Sequence, residues 1–124
     1  MKSPITSLVL LAPFLWACGA TFPPPTQRMA DAKAAERSAE ELGANDVPDA
    51  KLSLKLAQEQ IAAAEKSMVD GENRRADSLL VRAKADAELS IAQAREKKAR
   101  TETEGAIADS AAQKATNAGQ GAVK

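Results

Sequence analysis

The run PDAKLSLKLAQEQIAAAEKSMVDGENRRADSLLVRAKADAELSIAQA, residues 48–94, decides the fold. Apolar and small residues recur every three or four positions on both sides of a single glycine. Before Gly71 the stripe is Ala50, Leu54, Ala57, Ile61, Ala64 and Met68; after it the stripe is Ala76, Leu80, Ala83, Ala87, Ser90 and Ala94. This is the spacing of one face of an α-helix. A glycine accepts the left-handed backbone that ends a helix. The chain is therefore expected to form one helix from Asp46 or Val47 to about Asp70, turn at Gly71, and form another from about Asn73. Folding at that turn places Met68 beside Ala76, Ala64 beside Leu80, Ile61 beside Ala83, Ala57 beside Ala87 and Leu54 beside Ser90. Large side chains then face small ones at most levels, as interdigitated packing requires.

Upstream, a helix is predicted from about Gln27 to Leu42, with Thr26 as its cap and Gly43 as its stop. Its apolar stripe is Met29, Ala32, Ala35, Ala39 and Leu42. Residues 43–47 form a short loop. Pro48 falls in the first turn of the next helix, where a proline is tolerated, and Asp49 suits the positive end of the helix dipole. Leu52, Leu56, Leu79 and Ile91 lie off the main seam and are expected to receive the first helix. The expected fold is all-α: an antiparallel helical hairpin with an added N-terminal helix, a three-helix bundle over residues 27–96. The third helix outruns the hairpin. Residues 97–118 then either fray in solvent or meet a partner or a second copy of the chain weakly. Their only large apolar side chain is Ile107, and residues 119–124 form a flexible tail.

The composition agrees. Alanine fills 28 of 124 positions, and it is the strongest helix former because it loses no side-chain entropy. Prolines stand only at 4, 13, 23, 24, 25 and 48, so no proline ring interrupts the chain after Pro48. All the aromatics, Phe14, Trp16 and Phe22, precede residue 23. The core is consequently thin. The 17 basic and 17 acidic residues balance. With no basic stripe and no aromatic stacking platform, nucleic acid is not an expected partner.

The sole cysteine, Cys18, ends the run Leu15-Trp16-Ala17-Cys18, behind a charged start at Met1-Lys2 and an apolar stretch from Ile5. That stretch is too short to span a bilayer but fits the apolar region of a signal peptide. Here the sequence resembles the lipobox of bacterial lipoproteins. Leu15, Ala17 and Cys18 match that motif, and Trp16 departs from it. The resemblance implies that residues 1–17 are a signal peptide cut between Ala17 and Cys18. It further implies that Cys18 carries a thioether-linked diacylglycerol and an acylated (palmitate-type) amino terminus. Two or three chains would hold the protein on the membrane, since each buried methylene adds about 0.8 kcal/mol. Gly19 follows the cysteine where Asp commonly marks inner-membrane retention, so the resemblance places the protein in the bacterial envelope, at the outer membrane and facing the periplasm. Phe22-Pro23-Pro24-Pro25-Thr26 reads as an extended spacer over residues 18–26, or as a docking motif for a proline-recognition domain.

Few residues downstream carry chemistry. There is no His, and the one thiol belongs to the anchor. No metal-ligand spacing, phosphate loop or nucleophile–base pair occurs, so neither an enzyme nor a cofactor is expected. A basic cluster, Arg95, Lys97, Lys98 and Arg100, is interrupted by Glu96 and followed by Glu102 and Glu104. It reads as a mixed charged helix face, or as a contact with anionic wall polymer or lipid head groups. With Ile107 it is the candidate partner-binding segment.

From about Arg28 to Ile107 the chain resembles an uncharacterised family of small bacterial envelope lipoproteins, a domain of unknown function sometimes fused ahead of an OmpA-like domain. The matching stretches are Leu56-Ala57 with Ile61-Ala62, Asp70-Gly71 before Ala76, Ala83-Lys84-Ala85-Asp86-Ala87-Glu88-Leu89, and Ala92-Gln93-Ala94. Gly71 followed by Ala76 is also similar to tetratricopeptide repeats, whose aromatic positions are absent here. Lys124 ends the sequence, and the major murein-linked lipoprotein of enteric bacteria also couples to peptidoglycan through a terminal lysine. The expected role is a non-catalytic envelope scaffold or adaptor. The alternative is a structural lipoprotein tethering the outer membrane to peptidoglycan through Lys124.

Overall fold

A computed structural model describes residues 21–121. Its described elements are α1 (Thr26–Glu41), a 3-10 turn (Ala44–Asp46), α2 (Pro48–Val69) and α3 (Asn73–Gly121), with no strand among the described residues. The expected signal peptide with Ala17, the expected anchor residue Cys18 and the terminal Lys124 lie outside them.

The hairpin turn forms as glycine chemistry dictates. Gly71 has φ +77. Its N–H donates to the Met68 carbonyl and the Glu72 N–H to the Ser67 carbonyl, the two bonds of a Schellman motif, which satisfy carbonyls that the end of α2 would leave free. Gly43 ends α1 in the same left-handed backbone, with φ +79 and its N–H on the Glu40 carbonyl. Val47, ahead of Pro48, is extended (φ −112, ψ 114), because the proline ring disfavours helical backbone in the residue before it. Helix α2 therefore begins at Pro48, and the expected loop contains a 3-10 turn.

The start of α1 departs from expectation. Pro25, not Thr26, is the N-cap residue, no side-chain cap bond forms, and Thr26 is the first helical residue. Pro25 is buried, and its carbonyl accepts the Met29 N–H. The proline ring has already set φ near helical values, so the helix begins one residue early without a hydroxyl cap.

The predicted seam is the core. Ala50, Leu54, Ala57, Ile61 and Ala64 of α2 and Ala76, Leu80, Ala83, Ala87, Ser90 and Ala94 of α3 are buried. The apolar interior has two clusters. Ile61, Ala64, Ala76, Leu80 and Ala83 join Ala32 near the Gly71 turn, with Met29, Met68 and Leu79 packed against them. Ala50, Leu54 and Ala94 join Ala39 and Ala44 at the opposite end, with Val47 and Ile91 against them. At that opposite end the hairpin is also closed by small polar groups. Ser90, fully buried, donates to the Ala50 carbonyl at 2.7 Å, and Ser53 donates to Gln93 Oε1 at 2.9 Å. These bonds join α2 to α3 where alanine offers no apolar bulk.

Helix α1 sits differently from expectation. It packs mainly on α3 and reaches α2 along the flank that carries Gln58 and Glu65. Gln58 donates to Glu40, Lys33 pairs with Glu65, and Arg28 pairs with Asp77 of α3. Leu79 and Ile91 are part of the packed interior. Leu52 and Leu56 are 60% and 42% exposed, because at about 100° per residue they fall on the side of α2 away from Gln58 and Glu65. Leu42 is 40% exposed as well. It lies just past the helix, and the left-handed turn at Gly43 brings Ala44 into the core in its place.

Candidate partner-binding surfaces

Helix α3 runs unbroken for 49 residues. It packs against α2 as far as Ala94, after which every side chain from Arg95 to Gly119 is exposed. Gly105 lies inside this helix with nothing near it. The hydroxyls of Thr101, Thr103 and Thr116 are each satisfied on the carbonyl four residues earlier.

The basic cluster lies at the point where α3 leaves the bundle, but it does not form one patch. At about 100° per residue, Lys97 and Arg100 share one side of the helix while Arg95 and Lys98 share the other. Arg100 donates twice to Glu96, at 3.0 and 2.6 Å, and Lys98 lies 4.0 Å from Glu102. Lys97, Arg100, Glu96 and Glu104 line a shallow cleft with Val47 and Asp49 at the start of α2. Cations and carboxylates alternate there, which favours a mixed charged partner over a polyanion. Ile107 is 63% exposed and lies among Ala99, Thr103, Ala106 and Ser110 on a shallow apolar strip.

A second surface was not anticipated from the sequence. The chain entering α1 is seated on the hairpin tip. Asn73 Nδ2 donates to the Phe22 carbonyl at 2.8 Å, and the Arg74 guanidinium stands 6.0 Å from the centre of the Phe22 ring, within cation–π range. Phe22, Gly71, Glu72, Asn73, Arg74, Arg75 and Ser78 surround an open depression. Up-down topology was the available signal: antiparallel neighbours place the start of α1 at the end of α2.

Among the described residues, no group of three or more His, Cys, Asp or Glu side chains is placed to hold a metal ion, and no helix is long and apolar enough to cross a membrane.

The molecule is thus a small helical domain built on a long hairpin, with one helix extending past it. A family model described as a domain of unknown function (DUF4398) matches residues 27–106, and the chain belongs to that family. The match covers the bundle and the basic cluster and stops just before Ile107. No curated protein and no solved structure matches the chain.

Proposed function

We propose that the chain is a lipid-anchored bacterial envelope protein, held at the outer membrane through acylated Cys18, whose helical domain is a non-catalytic scaffold or adaptor in the periplasm. The observation that supports this best is the bare length of α3: from Arg95 to Gly119 a continuous helix carries no tertiary contact burying a side chain. Most helical stability in proteins comes from tertiary packing of one face, and a partner laid along Ile107 and the adjoining small residues would cover the exposed apolar strip. Replacing Cys18 by Ser and fractionating membranes tests the anchor: the variant is expected in the soluble fraction. A photo-crosslinking residue at position 107 tests the adaptor role: it is expected to trap one discrete partner in intact cells, and a clean monomer counts against the reading. A second reading, a tether to peptidoglycan through Lys124, draws support from the reach of α3, about 70 Å for its 49 residues. Sacculi boiled in detergent would retain a covalently linked chain and release one held by lipid alone.

A further inference from the structure

We propose that the hairpin tip rests on the lipid head groups, so that the bundle stands on the membrane and α3 points away from it. This rests on the anchor reading for Cys18 and adds to it an orientation and a contact surface. The tip gathers the end of α2, the Gly71 turn and the start of α3, with Phe22 fixed beside it through Asn73 and Arg74. From Cys18 to Phe22 are four residue steps, which span at most about 14 Å when fully extended. An acyl chain in the bilayer therefore holds the tip within about one head-group layer or two of the lipid.

The tip has the side chains for that contact. Val69, the last residue of α2, is 87% exposed, the largest exposure among the large apolar residues described, and Phe22, at the same end of the bundle, is 36% exposed. Arg74 stands over the Phe22 ring, Arg75 pairs with Glu72, and Lys66 and Asp70 lie on the last turn of α2. Exposed apolar and aromatic side chains carried with long cationic ones suit the boundary between acyl chains and phosphate groups. The overhang has a similar balance of charge, Arg95, Lys97, Lys98, Arg100 and Lys114 against Glu96, Glu102, Glu104 and Asp109, but its only large apolar side chain is Ile107. A bundle lying flat would bring this mixed segment to the lipid, whereas one standing on its tip lifts it about 35 to 70 Å away, at 1.5 Å per residue along α3.

The acylated full chain, reconstituted in phosphatidylethanolamine–phosphatidylglycerol vesicles that contain a lipid with a nitroxide on its head group, tests this. Val69→Cys and Ile107→Cys each add one labelling thiol at an exposed position, Cys18 being blocked by its lipid. A fluorophore at 69 is expected to lose its emission and one at 107 to keep it. Equal quenching at both positions, or none at either, overturns the orientation while leaving the anchor intact. Mass spectrometry of the same preparation reads the anchor separately, and an unmodified Cys18 overturns the anchor and the orientation together.

Discussion

Serine is an unusual residue for the centre of a helical seam, and Ser90 shows why it is kept there. The position is fully buried, and its hydroxyl satisfies itself on the Ala50 carbonyl of the facing helix. Around it the interior is alanine, and the only larger apolar side chains below 2% exposure are Leu54 and Leu80. Two helices this close tolerate loss of a bond better than added volume. Ser90→Ala is expected to lower stability by about 1 kcal/mol, the net value of one hydrogen bond. Ala87→Leu, at a fully buried position opposite Ala57, is expected to cost about 1–3 kcal/mol through overpacking. Urea unfolding of the two variants against the parent checks the order. An Ala87→Leu chain as stable as the parent would show that the seam has slack.

At the scale of the element, each helix was legible to the extent that its own residues dictate it. The α2–α3 seam could be read residue by residue, because the three-to-four spacing and the Gly71 stop act through local geometry. The seat of α1 could not. Leu52, Leu56, Leu79 and Ile91 are equally apolar in sequence, yet α1 covers only the flank that carries Gln58 and Glu65 on α2 and Asp77 on α3, where Arg28, Lys33 and Glu40 find partners. Leu79 and Ile91 of α3 pack against the clusters that hold Ala32 and Ala39 of α1, and Leu52 and Leu56 do not, a choice that the periodicity of each helix taken alone does not make. The grouping of the basic cluster follows from local geometry as well: Arg95, Lys97, Lys98 and Arg100 are adjacent in sequence, and rotation along one helix divides them between two sides. The overhang supplies an element-level prediction. Gly105 is helical, exposed and free of neighbours, so Gly105→Ala is expected to add about 0.8–1 kcal/mol of helix propensity. Slower hydrogen exchange across 97–118 with an unchanged bundle is the expected reading; faster exchange there would contradict it.

For the whole molecule, cooperativity should end where tertiary burial ends. Residues beyond Ala94 bury no described side chain, and a helix without packing follows its own local equilibrium. A chain ending at residue 101 is expected to keep the urea midpoint of the full chain while losing helical circular dichroism in proportion to the residues removed. A lowered midpoint would reveal that the overhang supports the bundle. The same division bears on function. The bundle fixes a base, with the entering chain and the Gly71 tip at one end, and the bare helix extends from the other. In the proposed adaptor, this shape would separate the membrane-facing surface from the surface offered to a partner.

By itself the sequence determined the helices, their stops at Gly43 and Gly71, and the hairpin seam, because each follows from backbone sterics and apolar spacing within a few residues. The three-dimensional packing alone decided which flank α1 covers, that Phe22 is seated at the tip and that Pro25 is buried. Those outcomes depend on contacts between residues far apart in the chain, such as Phe22 with Asn73 and Arg28 with Asp77, and no local pattern specifies a pairing across such a separation.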